Sequence, residues 1–329
     1  MARSARNRIS RLQAIENLLL AHPRGLTQAE IARKLNVDRS TISRDVANLP
    51  EYISEDDHRR LILDRQGLLV HVQLSLNEAT ALHLATRLLV TRMDRQNPHA
   101  STALRKLGCA IERIAPRISE HMQRSADEMQ SDSRRLDPRY IGILEKLVLA
   151  WAEERKLHIW YRREDRQVNE YTFCPYFIEP YAIGQSIYAI GYCDERHSMR
   201  TFKVAYIERA ELTQQTYTIP ANFNAQDLFA DAWGIWYTDS APVQVELLFS
   251  AAVAERVQET TWHRSQQIER LPDGRLRWIA HIAEPKEMLN WIRGWGAAVE
   301  VIAPLTLREE VKEEIRRMHN LYEVNREAK

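Results

Sequence analysis

The chain has 329 residues, of which 46 are Lys or Arg and 45 are Asp or Glu, so its formal net charge at pH 7 is only +1. This balance excludes a uniformly basic protein that coats nucleic acid, and the length exceeds what one hydrophobic core usually fills, so we expect about two to three domains. No apolar run approaches the length of a membrane-spanning helix, and we therefore expect a soluble, cytoplasmic protein without a membrane partner.

Residues 27–49 have the pattern of two short helices joined by a tight turn. Thr27 and Asp38 each precede an amphipathic segment, and their side chains can accept hydrogen bonds from the free N–H groups of a first helical turn. In the second segment apolar residues recur at spacings of four and three from Ile42, which leaves the polar residues on the outward face. This arrangement is the one that most often places a helix in the DNA major groove.

The outward face of the second helix supplies the predicted DNA contacts, because arginine and hydroxyl side chains read base edges and bind phosphates. The predicted DNA-binding residues of this region are Thr27, Arg39, Ser40, Thr41, Ser43 and Arg44. Residues 1–50 also carry nine basic side chains against four acidic ones, which favours DNA binding by this part of the chain. The alternative is a small helical bundle whose polar face is only solvated.

Residues 52–64 have a charged centre between two short apolar runs. This pattern predicts a β-hairpin, the wing of a winged helix-turn-helix, with His58, Arg59 and Arg60 near its tip. Because basic side chains at such a tip reach the DNA backbone, we add Arg59 and Arg60 to the predicted DNA-binding residues.

Residues 76–122 are predicted to form two helices. A narrow apolar seam follows the second helix at alternating spacings of three and four, and its members are Leu104, Leu107, Ile111, Ile114 and Ile118. Such a seam requires a partner, which is the preceding helix of the same subunit, a second subunit, or both. Residues 123–139 are polar, contain a proline near their end and predict a connector.

The middle of the chain changes to β-branched and aromatic residues. After a short helix at residues 140–154, four or five short strands follow one another, with turns at Gly184-Gln185 and Asp194-Glu195. Consecutive short strands of this kind favour a small barrel. Beyond Pro242 the order changes to strand, helix, strand, strand, helix, strand and a closing helix, which is typical of a ferredoxin-like βαββαβ domain.

Residues in both β-rich regions carry a family resemblance. In the first region they are Pro175-Tyr176, Pro180, residues 188–191, residues 200–203 and Tyr206-Ile207. In the second region they are residues 245–247, residues 262–266, Asp273-Gly274, Trp291-Ile292, Gly296 and residues 299–301. On these residues the chain resembles, over nearly its full length, the bacterial WYL-domain transcriptional regulators. The name-giving Trp-Tyr-Leu is replaced by Ile187-Tyr188-Ala189, so only the tyrosine is kept.

The resemblance implies an α+β protein of several domains. The expected domains are a winged helix-turn-helix at residues 1–75, a helical linker and dimerisation segment at 76–135, an Sm-like β-barrel or WYL domain at 136–225, and a C-terminal ferredoxin-like extension at 240–329. The barrel is implied to sense a nucleic-acid-derived ligand on an aromatic and basic face and to alter DNA binding. The expected ligand-binding residues are Tyr176, Tyr188, Arg200, Phe202 and Lys203.

Two observations weigh against parts of this site. In a regular strand Arg200 and Phe202 share one face while Lys203 points to the other, unless a bulge intervenes. For a tyrosine such as Tyr176, packing in the barrel wall is the alternative to ligand binding.

Catalysis is the competing hypothesis. Histidine, acidic and cysteine side chains occur in the barrel segment, but without fixed spacing, and the chain contains no GxSxG, phosphate loop or HExxH motif. Cys109, Cys174 and Cys193 lack metal-ligand spacing, and we expect them to be buried, small apolar side chains in a reducing compartment. We therefore expect no catalytic residue, no metal and no cofactor.

The sequence predicts a ligand-responsive, dimeric transcription factor that binds an inverted repeat in double-stranded operator DNA. Repression is the working hypothesis, with single-stranded DNA or a nucleotide as the effector. Two alternatives stay open: an activator of DNA-damage or metabolic genes, and a nucleic-acid-processing enzyme with a DNA-targeting module.

Overall fold

A computed structural model of the protein describes residues 2–22, 25–46, 49, 52–63, 72–131, 136–163, 165–181, 184–238 and 240–324. Within these residues the fold is mixed α and β and contains three antiparallel sheets. Backbone contacts divide the chain into two compact units, Met1–Ile219 and Pro220–Lys329. Among the described helices, none is both long and apolar enough to cross a membrane.

The N-terminal region contains the predicted helix, turn, helix and hairpin. Its elements are α1 (Ala2–Leu20), β1 (Leu26–Thr27), α2 (Gln28–Leu35), α3 (Arg39–Val46), β2 (Ile53–Glu55) and β3 (Arg60–Leu63). Strand β3 lies between β1 and β2 and pairs antiparallel with both. The three helices and the hairpin enclose one apolar core, in which Ile15, Ile31 and Ile42 are fully buried.

Three helices follow: α4 (Leu76–Arg92), α5 (Pro98–Ile111) and α6 (Pro116–Ser131). The sequence pattern predicted one helix through residue 118, and this prediction is wrong because α5 ends at Ile111 and Ile114 lies in the following turn with 74% of its surface exposed. Leu104 and Ile111 are buried against α6 in the same chain. Gly108 permits the close approach of α5 and α6, since a Cβ atom there would lie 3.3 Å from the Ser119 carbonyl oxygen.

Two further expectations about the helical region need correction. Residues 123–131 belong to α6 rather than to a connector, because their helical backbone continues to Ser131. Cys109 on α5 is exposed, whereas Cys174 and Cys193 are buried as expected.

Helix α7 covers a five-stranded sheet in the first unit. The elements are α7 (Pro138–Glu153), β4 (Arg155–Arg162), β5 (Val168–Tyr181), β6 (Ser186–Cys193), β7 (Ser198–Lys203) and β8 (Ile207–Thr216). The strand order is β7-β6-β5-β4-β8, and every neighbouring pair is antiparallel. Leu147 of α7 packs with Leu157 and Phe173 in the core. Strand β5 is bulged at Tyr176. Gly191 lies so close to this bulge that a Cβ atom at residue 191 would be only 2.0 Å from the Cys174 carbonyl oxygen.

The second unit is built on its own sheet. Its elements are α8 (Ala225–Leu228), β9 (Val243–Phe249), α9 (Ala254–Gln258), β10 (Gln267–Arg270), β11 (Leu276–Ile282), α10 (Leu289–Trp295), β12 (Val299–Ala303) and α11 (Leu305–Val324). The antiparallel strand order is β10-β11-β9-β12. Leu247, Phe249 and Trp278 are fully buried between the sheet and its helices.

Candidate nucleic-acid interface

Helix α2 begins and ends at local sequence signals. The Thr27 hydroxyl oxygen accepts a hydrogen bond from the Glu30 N–H at 3.3 Å, and the Glu30 carboxylate accepts one from the Thr27 N–H at 2.7 Å. The Glu30 carboxylate also accepts a hydrogen bond from the Thr27 hydroxyl at 2.8 Å, and the two bonds donated by the Thr27 N–H and hydroxyl hold the pKa of Glu30 below its usual value. Asn36 ends the helix with a φ of 52°, a left-handed conformation that Asn tolerates. The Thr27 side chain therefore has a capping role, and its contact with DNA remains a prediction.

Helix α3 presents most of its predicted residues outward. The Asp38 carboxylate accepts a hydrogen bond from the Ser40 N–H at 2.7 Å, which caps the helix as predicted. Arg39, Ser40, Ser43 and Arg44 are exposed, whereas Thr41 is half-buried. The guanidinium group of Arg44 donates to the Ser40 carbonyl oxygen at 3.2 Å and to its hydroxyl at 3.3 Å, so the side chain lies along the helix surface.

An ion pair between α1 and α3 was not predicted from the sequence. The Arg11 Nε donates to Asp45 Oδ2, and Asp45 is only 2% exposed. The hydrogen bond with Asp45 raises the pKa of Arg11. The available signal was the position of Asp45, three residues after Ile42, where an acidic side chain on the inward face of α3 requires a cationic partner.

The wing pairs through β3 with the short strand β1 that precedes α2. Asp56 accepts hydrogen bonds from the N–H groups of His58 at 2.9 Å and Arg60 at 2.7 Å, and Arg59 turns the chain with a φ of 57°. Arg59 is exposed and Arg60 is half-buried. Because Arg60 pairs with Thr27 in the sheet, the wing is fixed relative to the start of α2.

The residues predicted for the ligand site do not converge. Tyr188 lies directly opposite Lys203, and Gly191 lies opposite Arg200, in the β6–β7 register. Since side chains alternate along a strand, Tyr188 and Lys203 share one face of the sheet and Arg200 points to the other. The register therefore does not bring the side chains of Tyr188 and Arg200 together on one face.

Phe202 belongs to the core. It is 5% exposed, and its ring lies edge-to-face with the rings of Tyr161 at 4.9 Å and Phe173 at 5.0 Å between centroids. The side chain points inward between the sheet and α7, and its contact with a ligand stays a prediction.

The structure instead brings together aromatic and basic side chains around Tyr206. Lys203 Nζ lies 5.1 Å and Arg162 Cζ lies 5.8 Å from the centroid of the Tyr206 ring. The Tyr161 ring lies 6.3 Å from the same ring, and Arg162 Nε lies 3.7 Å from Glu208. We call Tyr161, Arg162, Lys203 and Tyr206 the Tyr206 cluster. Sequence reasoning missed Arg162 and Tyr206 as site residues, and the available signal was the aromatic-basic pair Tyr161-Arg162 in β4.

The other predicted ligand residues lie elsewhere in the sheet. The ring of Tyr176, at the β5 bulge, stacks on that of Tyr217 with centroids 6.0 Å apart and planes 14° from parallel. Tyr188 lies edge-to-face with Tyr181 at 6.0 Å. Arg200 is exposed and donates to the Met199 carbonyl oxygen at 2.9 Å.

Comparison with known protein families matches three segments of the chain, which together cover more than half of it. They are an HTH domain at residues 10–55, a WYL domain at residues 142–212 and a WCX domain at residues 241–319. No curated protein matches the chain.

Two solved structures match the chain with low TM-scores and low sequence identity. Proteasome accessory factor B/C of Arthrobacter aurescens has a TM-score of 0.32 and 18% identity, over 92% of this chain and 47% of that one. A CRISPR Cas-related protein has a TM-score of 0.43 and 9% identity, over 80% of this chain and 89% of that one. The chain thus spans about half of the length of the first of these proteins.

Proposed function

The chain belongs to the WYL-domain-containing helix-turn-helix transcriptional regulators, and from this premise we propose that it is a ligand-responsive repressor that binds an inverted-repeat operator as a cytoplasmic homodimer. Helix-turn-helix and WYL domains are typical of DNA-binding regulators rather than of enzymes. The observation that carries the proposal is the exposed polar face of α3, with Arg39 and Arg44, in one small domain with the exposed Arg59 at the wing tip.

In this proposal α3 enters the major groove and the wing contacts the phosphate backbone. Arg39 and Arg44 supply the planar, bidentate donors that read guanine, and Ser40 and Ser43 supply hydroxyl groups for bases or phosphates. Arg44 exchanges its hydrogen bonds to Ser40 for hydrogen bonds to DNA. Two copies on neighbouring half-sites give specificity that one module lacks.

We assign the domains on the same basis. The winged helix-turn-helix is residues 1–75, the helical linker 76–135, the WYL domain 136–225 and the C-terminal extension 240–329. Support for an Sm-like WYL domain is a helix followed by five antiparallel strands, in which the last strand pairs with the first. Support for a ferredoxin-like extension is its βαββαβ order, with β9 and β11 central in the sheet.

We place the effector site at the Tyr206 cluster. The effector we propose is single-stranded DNA or a nucleotide, because an aromatic ring can stack on a base while neighbouring cations bind phosphate. Lys203 Nζ and Arg162 Cζ lie 5.1 and 5.8 Å from the centroid of the Tyr206 ring. A ring for base stacking and cations for phosphate binding are therefore next to each other.

The test has two steps on the full-length protein. Selection of operators from a random duplex library, followed by fluorescence anisotropy, measures specific binding, and a panel of short single-stranded oligonucleotides is then added. The expected result is a selected duplex that the oligonucleotide releases without being hydrolysed. Failure to enrich any duplex contradicts the DNA-binding proposal, hydrolysis of the oligonucleotide supports the enzyme alternative, and reporter expression in cells distinguishes repression from activation.

A further inference from the structure

Helix α4 has one covered face and one exposed face. Ala79 and His83 are buried against the other helices, whereas Leu82, Leu84 and Leu88 are 50%, 61% and 62% exposed. Leucine side chains exposed on neighbouring turns of one helix form a larger apolar surface than isolated surface residues do, and such surfaces mark interaction sites.

The exposed apolar face of α4 also contains small residues and lacks charged ones. Ala81 and Ala85 are also exposed, and the sequence has no charged residue between Glu78 and Arg87. The guanidinium group of Arg87 is directed toward α6, where it donates to Ser125 at 2.7 Å. The uncharged outer face of α4 therefore extends from Ala79 to Thr91, over about three and a half turns.

The two ends of this face carry opposite charges. Glu78 lies at its N-terminal end and Arg92 at its C-terminal end, and both are exposed. In the capping box of α4 the Glu78 carboxylate accepts from the Ser75 N–H through Oε2. Arg92 has no ion pair within the part of the chain that the structure describes.

We propose that the outer face of α4 is the homodimer interface and that it packs against α4 of a second copy, antiparallel about a two-fold axis near Ala85. At about 100° and 1.5 Å per residue, Ala81, Ala85 and Leu88 lie within roughly 60° of one another on the helix surface. The antiparallel arrangement places Ala81 of one copy opposite Leu88 of the other. The alanines allow the two helices to approach closely.

Charge identifies the occupant as a second copy. The same antiparallel arrangement brings Glu78 of one copy to the level of Arg92 of the other, on the same side of the interface, and the two-fold axis repeats this pair. A parallel arrangement would place like charges together. A helix with a negative residue at one end of an apolar face and a positive residue at the other is thus complementary to itself only when antiparallel.

This inference deepens the proposed function, since it rests on the homodimer assumed there and assigns an interface to it. In chain order α4 is the first helix after the winged helix-turn-helix. Pairing of α4 would hold two copies of α3 about one axis, as a two-fold symmetric operator requires.

Cysteine cross-linking tests the interface in full-length protein with Cys109→Ser, which removes an exposed native thiol. Ala85→Cys is expected to give a reducible covalent dimer. The proposed two-fold axis passes near residue 85, so its two copies lie at nearly the same level along the paired helices, within about one helical rise of 1.5 Å. Ala81→Cys alone is expected to stay uncoupled, because its two copies are about 10 Å apart along the helix, beyond disulfide reach. Ala81→Cys combined with Leu88→Cys is expected to cross-link.

A mass measurement complements the cross-linking. Leu88→Glu is expected to raise the dimer dissociation constant at least tenfold by sedimentation at micromolar concentration. The matched control is Ile114→Glu, since Ile114 is exposed and apolar but lies in the turn between α5 and α6. Circular dichroism verifies that both variants are folded.

Several outcomes would overturn the proposal: a monomeric wild type, a Leu88→Glu variant as dimeric as its control, or cross-linking of Ile114→Cys that equals that of Ala85→Cys. These failures are distinct from failure of the proposed function. Cross-linking through residue 85 without any DNA binding would support the interface and contradict the regulator, whereas operator binding without cross-linking would do the reverse.

Discussion

Arg11 of α1 and Asp45 of α3 form an ion pair whose acidic side chain is 3% exposed and whose basic side chain is 22% exposed. Helix α3 carries the candidate groove-reading face, so this pair fixes the orientation of that face relative to α1. Loss of Arg11 removes a charged hydrogen bond from the Asp45 carboxylate, and the cost is greater for this more deeply buried charge than for the guanidinium.

We expect Arg11→Met to lower the free energy of unfolding of the N-terminal domain by about 1–3 kcal/mol, because it removes a charged hydrogen-bond donor from the buried Asp45 carboxylate. Adding Asp45→Asn should recover part of the loss, since the neutral amide is less costly to bury. Urea denaturation measures both effects. Lys34→Met on the exposed surface of α2 is the control, and an equal loss in this control would show that the ion pair has no specific role.

Elements set by local interactions were predictable from the sequence. Thr27 and Asp38 cap α2 and α3 as predicted, because the hydrogen bonds involved span only two or three residues. The hairpin from Ile53 to Leu63 was predictable for the same reason. The end of α5 was missed because the apolar spacing continues through Ile114 and Ile118 across the turn. Pro116, the first residue of α6, was the signal that should have been weighed against it.

The geometry of the ligand site depended on long-range contacts that the sequence does not encode locally. Whether Arg200 faces Tyr188 is decided by the register of β7 on β6, and a shift of one residue reverses every side chain. The position of Tyr206 near Arg162 depends on the pairing of β8 with β4, which are separated by three intervening strands in the chain. The residue types indicated that aromatic and basic side chains occur in this sheet. They did not indicate which of these side chains lie next to one another in the folded protein.

For the recognition helix, we expect Arg44→Ala to weaken binding to a selected operator by about 1–3 kcal/mol without changing the melting temperature, because the side chain is exposed and lies along the helix surface, where it donates to Ser40. Fluorescence anisotropy at fixed salt measures the effect. Arg113→Ala, in the exposed turn after α5, is the matched control. Unchanged affinity after removal of both Arg39 and Arg44 would place the recognition surface elsewhere.

For the effector site, we expect Lys203→Ala to weaken binding of a short single-stranded oligonucleotide and to reduce the salt dependence of binding by about one counterion, because one phosphate contact is lost. Arg200→Ala is a matched control, since it removes the same charge from the same strand but on the opposite face. Titrations at several salt concentrations measure both variants. If Arg200→Ala has the larger effect, the effector binds the other face of the sheet.

His83 on α4 is 2% exposed, and its two ring nitrogens have no hydrogen-bond partner among the described residues. Burial lowers the pKa of His83, and the neighbouring His121 and Arg87 lower it further. The folded protein therefore holds His83 neutral, while the unfolded chain takes up a proton below about pH 6.5. It follows that the free energy of unfolding decreases as the pH falls through this value, with a contribution from this group of up to about 1.4 kcal/mol per pH unit.

We expect His83→Leu to remove this contribution, so that the variant gains stability over wild type as the pH is lowered from about 7.5 to 5.5. At the higher pH we expect a smaller gain that does not depend on pH, because an apolar side chain of similar size replaces a buried polar group without partners. Thermal unfolding across this pH range measures the difference. The control is His99→Leu, at an exposed histidine that pairs with Glu145 at 2.8 Å, where we expect no comparable gain. A gain for His83→Leu that is constant with pH would show that packing, rather than protonation, determines the effect.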